Sequence, residues 1–172
     1  LFLCIYVFSM ISYLLADHHP LLAYLTNGYL YVVPIDAKGK LGKGVKPQRI
    51  CKLWKNAKRE SVSLTGAPNG KYVAITHCSG DYVGIWLVAT KPNSKPFKVA
   101  MGSDPSWSPD GKYLAFTRIQ GGNLSQPEWT YDVCIFDLTT NHMRVLRKQA
   151  REPFWSPKGT KIALIDESLN SI

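Results

Sequence analysis

Three segments of the chain superpose without gaps: "LTGAPNGKYVAIT" (64–76), "PSWSPDGKYLAFT" (105–117) and "PFWSPKGTKIALI" (153–165). Each runs Pro, one variable residue, Gly, two further residues, then apolar, Ala, apolar. The glycines Gly70, Gly111 and Gly159 stand 41 and 48 positions apart. Short strands repeating with a period in the forties are the mark of a propeller blade.

Downstream of each repeat the pattern extends. "YVGIWLV" (82–88) and "YDVCIFDL" (131–138) read as second strands, and "PFKVAMG" (96–102) and "HMRVLRK" (142–148) as third ones. Counting the strand before the turn, each unit has four. "LLAYLTNGYLYVVPID" (21–36) suits the middle of such a unit, with Asn27-Gly28 as a tight hairpin turn. "KYLAF" and "KIALI" place apolar residues consecutively rather than alternately, as strands do when both faces are covered.

Within the turn, each residue type has a mechanical reason. Pro109 and Pro157 preset φ and end the ladder of the preceding strand. The pairs Asn69-Gly70 and Asp110-Gly111 are expected to supply left-handed positions, and Gly159 is the turn glycine of the third repeat. Trp107 and Trp155, just ahead of the turn, are expected to fill the space between blades. All nine are therefore read as architecture rather than as ligand contacts.

"PSWSPDGKYLAFT" resembles the TolB-like WD40-like (PD40) β-propeller repeat, whose pattern is Pro, any residue, Trp, Ser, Pro, Asp, Gly and a Lys-x-apolar-Ala-apolar strand. The second repeat matches almost fully. The third has Lys158 for the Asp, and the first has Gly66-Ala67 for Trp-Ser. The resemblance covers about residues 20–166 and implies an all-β propeller of four-stranded antiparallel blades. It also spans two uses, non-catalytic Tol-associated propellers and the propeller halves of prolyl-oligopeptidase-like (S9) serine peptidases.

The blades are expected at 61–101 and 104–148, with partial ones at 21–54 and 152–166, in a propeller region of 20–172. Propellers close with about four to eight blades, so an incomplete, N-terminal portion of a larger propeller is expected.

Residues 1–16, "LFLCIYVFSMISYLLA", carry no charge and precede the polar "DHHP". They read as the apolar core of a secretory signal lacking its Met and positive start; a shortened membrane anchor or a buried segment are the alternatives. Export to a periplasmic or extracellular compartment, or anchoring that faces it, is the expectation. With cleavage after Ala16 the mature chain has no membrane span, and His19 becomes its third residue, a square-planar site for Cu(II) or Ni(II). No other metal or cofactor is called for. Cys51, Cys78 and Cys134 allow at most one internal disulfide, and Cys78 and Cys134 are read as small buried strand residues. No CxxC pair supports a zinc site.

The formal charge of +9 is local: nine of the 21 Lys and Arg lie between Lys38 and Arg59, where there is no acid. "KGKLGKGVKPQR" reads as a solvated loop. "QRICKLWKNAKRE" (48–60) fits a helix, with Ile50, Leu53, Trp54 and Ala57 on one side, or an outer strand around 49–54. Lys46, Arg49, Lys52, Lys55, Lys58 and Arg59 form a candidate patch for an anionic surface, polysaccharide or acidic protein. Export speaks against nucleic acid.

No catalytic constellation stands out. Ser108 and Ser156 recur in one repeat position and lack a GxSxG elbow. In "THCSGD" (76–81), neighbouring strand residues His77 and Cys78 point to opposite faces. "GKLGKG" (39–44) lacks the spacing of a phosphate loop. The expected function is a non-catalytic exported scaffold for protein–protein interaction. The alternative is the N-terminal propeller segment of an S9 peptidase whose catalytic domain is not in this chain, and a glycan-binding or lyase-like propeller is a third reading, which needs clustered surface aromatics or a metal site that the sequence does not offer.

Overall fold

A computed structural model describes residues 21–36, 38–53, 60–79, 82–121 and 128–168. Twelve strands run in order: β1 Leu21–Thr26, β2 Tyr29–Pro34, β3 Gln48–Lys52, β4 Glu60–Gly66, β5 Tyr72–Ser79, β6 Tyr82–Ala89, β7 Phe97–Trp107, β8 Tyr113–Gln120, β9 Thr130–Asp137, β10 His142–Lys148, β11 Ala150–Trp155 and β12 Ile162–Asp166. All pairings are antiparallel, and no α-helix occurs among the described residues. No described helix is therefore long and apolar enough to cross a membrane.

β1–β2–β3 form a three-stranded sheet and β11–β12 a two-stranded one. Between them, β4 to β10 are hydrogen-bonded as two four-stranded units that share β7: its first half pairs with β6 and its second half, Gly102–Trp107, with β8. The boundary anticipated between residues 101 and 104 thus falls inside one continuous strand. The helix-or-strand ambiguity at 48–60 resolves as strand over Gln48–Lys52, and residues 54–59 lie outside the described set.

Consecutive apolar residues serve two cores. Val73 and Ile75 of β5 join Leu30, Val32, Ile50 and Val88 on one side. Ala74, between them in sequence, joins Ile85, Leu87, Trp107, Leu114, Phe116, Cys134 and Phe136 on the other. The period of two sends alternate side chains to opposite faces, so a strand packed on both sides must be apolar throughout. β12 departs from this: Ile165 and, on the same face of β11, Phe154, which pairs with Ala163, are 41% and 62% exposed, leaving that sheet face open among the described residues.

The three turns are built alike. Gly70, Gly111 and Gly159 donate to the carbonyls of Ala67, Ser108 and Ser156, each at 2.8 Å. The left-handed conformation falls on these glycines alone, at φ 69°, 66° and 72°. Asn69 and Asp110 do not share it, contrary to the sequence expectation. Instead they brace the turn with their side chains, accepting the amides of Lys71 and Lys112, both at 3.0 Å. The Asn27-Gly28 hairpin does place both residues left-handed, at 51° and 75°.

Candidate functional site

Polar side chains collect at the end of the sheets opposite the Pro-x-Gly turns, where β7 and β11 enter their sheets. Asp104-Pro105 and Glu152-Pro153 occupy equivalent repeat positions. Proline has no amide to give the ladder, and the pairing slips at both places, between Ser103 and Ser106 and between Arg151 and Phe154. Asp104 and Glu152 each take φ 54°, a left-handed conformation that non-glycine residues adopt only when the surroundings hold them in it.

Those surroundings are specific. The Asp104 carboxylate accepts the hydroxyls of Ser103 at 2.8 Å and Thr117 at 3.0 Å. Thr117, 1% exposed, in turn accepts the backbone amide of Glu152 at 2.9 Å. One buried hydroxyl on β8 thereby joins β7 to β11. Next to it, Arg118 and Asp132 form a cross-strand ion pair at 2.6 Å, with Asp132 7% exposed. Arg151 bonds Glu152 and Glu167, both at 2.6 Å. The hydrogen bond to Glu167 and the adjacent Glu152 charge raise the Arg151 pKa further, so it stays a fixed cation.

The repeat residues lie between units. Trp107, 8% exposed, sits in the core shared by the two four-stranded units, its indole N–H donating to the Thr65 carbonyl at 3.1 Å. Trp155 is half-buried and stacks on Tyr113 with ring centres 6.5 Å apart. Asn69 reaches across to the carbonyls of Asp110 and Gly111 at 3.2 and 3.0 Å. Pro109 lies against Gly159, while Pro157 occupies the matching turn position. The Ser108 hydroxyl is 3% exposed; it accepts the Tyr113 amide at 2.9 Å and donates to Asp110 at 2.6 Å. Ser156 likewise accepts the Lys161 amide at 3.1 Å. Burial opposes ionisation of Asp110, but the bonds from Ser108 and Lys112 outweigh it and hold the carboxyl below the usual range.

His77 is buried and Cys78 only partly so, which corrects the expectation of a buried Cys78; Cys134 is fully enclosed. All three described cysteines are free. Burial pushes the Cys134 thiol up to about 11, with Arg118 and Asp132 acting in opposite directions on it. No group of His, Cys, Asp and Glu suited to a metal occurs among the described residues; the proposed His19 site lies outside them. Of the basic patch, Lys46 is exposed in the loop before β3, and Arg49 and Lys52 project from β3 over the Tyr29 ring at 5.2 and 5.5 Å. Lys55, Lys58 and Arg59 are outside the described residues. The sequence reading missed Asp104, Thr117 and Glu152. The shared Pro105 and Pro153, each preceded by an acid, were its one available signal.

No protein-family model matches the sequence, and no curated protein does. Solved structures do match in shape. TolB from Acinetobacter baumannii aligns with a TM-score of 0.52 at 19% identity, over 83% of this chain and 33% of that one. The tricorn protease aligns at 0.59 and 13% identity, over 83% and 14%. The fold is that of a β-propeller. A structure from work on two prolyl endopeptidases and the role of inter-domain dynamics in their catalysis and specificity aligns at 0.56 and 15% identity, over 84% and 26%. The chain thus spans a third or less of the length of these three proteins.

Proposed function

We propose that this chain is a non-catalytic, exported propeller module of the TolB-like PD40 type, a stiff scaffold whose edge loops receive a protein partner. The observation that supports it most is the bonding at both junctions between successive repeats. Asn69 to Gly111 and Trp107 to Thr65 tie the first junction near the turns, and the Trp155 amide to Ser106 Oγ and the Glu152 amide to Thr117 tie the second. The Ser108 hydroxyl, the recurring nucleophile candidate, is consumed by its own turn. A frame held this way keeps loops in fixed relative positions, which lowers the entropy a partner loses on docking. The same frame would serve a second reading, the propeller segment of a prolyl-oligopeptidase-like peptidase, in which it gates access to a catalytic domain.

Photo-cross-linking in the producing cell tests this, with a benzophenone amino acid placed at Lys148 near the end opposite the Pro-x-Gly turns or at Thr139 in the β9–β10 turn. A discrete adduct with one exported protein from one end only is the expected result. Labelling of the full-length native protein by a fluorophosphonate, abolished by substitution of a serine outside residues 1–172, would establish the peptidase reading instead.

A further inference from the structure

On the outer rim, β3 and the β6–β7 connection flank an open cleft of about 350 Å³ lined by Tyr29, Arg49, Ile50, Cys51, Lys52 and the turn Asn93–Pro96. Its construction starts from a bulge. Leu30 pairs with Cys51 and Tyr31 with Arg49, so Ile50 is an extra residue outside the ladder. Its side chain goes into the core, 1% exposed, and its carbonyl accepts the amide of Asn93 at 2.9 Å. Asn93 is left-handed at φ 60°, which turns the chain and sets Lys95 beside the cleft. A regular ladder at this point would leave the two sheets without that bridge.

The wall is cationic without compensation. Arg49, Lys52 and Lys95 line it, no acid does, and none of the three forms an ion pair among the described residues. Both cations of β3 rest on the Tyr29 ring, which restrains them in advance of any ligand. Burial raises the pKa of Cys51, so its thiol adds no negative charge at neutral pH. A concave surface lined by one sign of charge concentrates its field on a counter-ion.

We infer that this cleft is a binding site for a phosphomonoester on a sugar-sized molecule or lipid headgroup, held by Arg49, Lys52 and Lys95. A phosphomonoester carries close to two charges against three cations, and the guanidinium fork matches two of its oxygens. The volume lies at the lower end of small-molecule sites, near about 300 Å³, enough for the phosphoryl group with the ring or glycerol that bears it. The site stands independently of the scaffold reading, since it involves neither the polar end nor the repeat turns.

Calorimetric titration of the whole chain with glucose 6-phosphate and with glucose tests the sugar form; sedimentation with phosphatidic acid or phosphatidylcholine vesicles tests the lipid form. Binding of one phosphomonoester and not its neutral counterpart is expected, weakened about tenfold or more in R49Q/K52Q/K95Q and about threefold in K95Q alone. K95Q lies on an exposed turn and leaves β3 intact, so its effect is readable even if the triple variant fails to fold. R49K, which keeps the charge and loses the fork, should fall between. Lys148→Gln, an exposed cation elsewhere, should change nothing. Binding of neither phosphomonoester, equal binding of the neutral counterpart, or equal weakening by Lys148→Gln would overturn the assignment.

Discussion

Trp107 reaches back 42 positions to donate its indole N–H to the carbonyl of Thr65, at 3.1 Å, across the core shared by two successive repeat units. Truncation to Ala removes a large buried ring and should cost about 3–5 kcal/mol. Trp107→Phe keeps most of the burial and loses the bond, costing about 1–2 kcal/mol. Trp155→Ala should cost less than half of the Trp107→Ala value, because that ring is only half-buried and its N–H has no partner among the described residues. Urea denaturation of the three variants checks the order.

Asn69 and Gly111 should show energetic coupling. A Cβ on Gly111 would collide with the Asn69 amide, and φ 66° strains any L side chain there. Gly111→Ala should therefore destabilise by about 1–2 kcal/mol from conformation alone and by more from the collision. In an Asn69→Ala background the collision part disappears. A double-mutant cycle should return a coupling of about 0.5–3 kcal/mol.

The Asp110 carboxyl titrates below its ordinary range in the folded chain. A depressed folded pKa means the unfolded chain binds the proton more tightly. The stabilisation is therefore complete above the unfolded pKa of about 3.9 and is lost as pH falls through the folded one. Asp110→Asn should have a lower melting temperature than the parent at pH 6 and a smaller deficit at pH 3. Thermal melts across that window decide it.

Asp104 and Glu152 share a backbone conformation but not a role. Glycine at 152 relieves left-handed strain and gives up only an exposed ion pair with Arg151, so Glu152→Gly should change stability by less than about 1 kcal/mol. Asp104→Gly removes the acceptor of Ser103 and Thr117 as well and should destabilise by about 1–3 kcal/mol. Thr117→Val, which deprives both Asp104 and the Glu152 amide, should match it, and Thr117→Ser should recover most of the loss. Urea denaturation of the four variants measures each difference.

These residues also mark where sequence reading succeeded and where it stopped. Val73-Ala74-Ile75 and Leu114-Ala115-Phe116 announce strands covered on both faces, because period-two side-chain direction turns an apolar run into two faces. The recurring Pro-x-Gly sets the turn, since its geometry is decided within four residues. The Thr117–Glu152 bond joins residues 35 positions apart, and no local rule reports such a partner. The bulge at Ile50 was equally hidden: one extra residue leaves composition unchanged and shifts the alternation within a strand of only five residues, yet it places Arg49 and Lys95 on the same cleft.

β7 gives the chain a mechanical property. As it finishes one sheet and opens the next without an intervening loop, a force applied across the two sheets is carried by covalent backbone and ladder bonds together. Gly102 sits at this handover with no room for a Cβ beside the Thr117 carbonyl. A displacement of one sheet is therefore passed to its neighbour through this one strand, since β6 and β8 bond to its two successive halves.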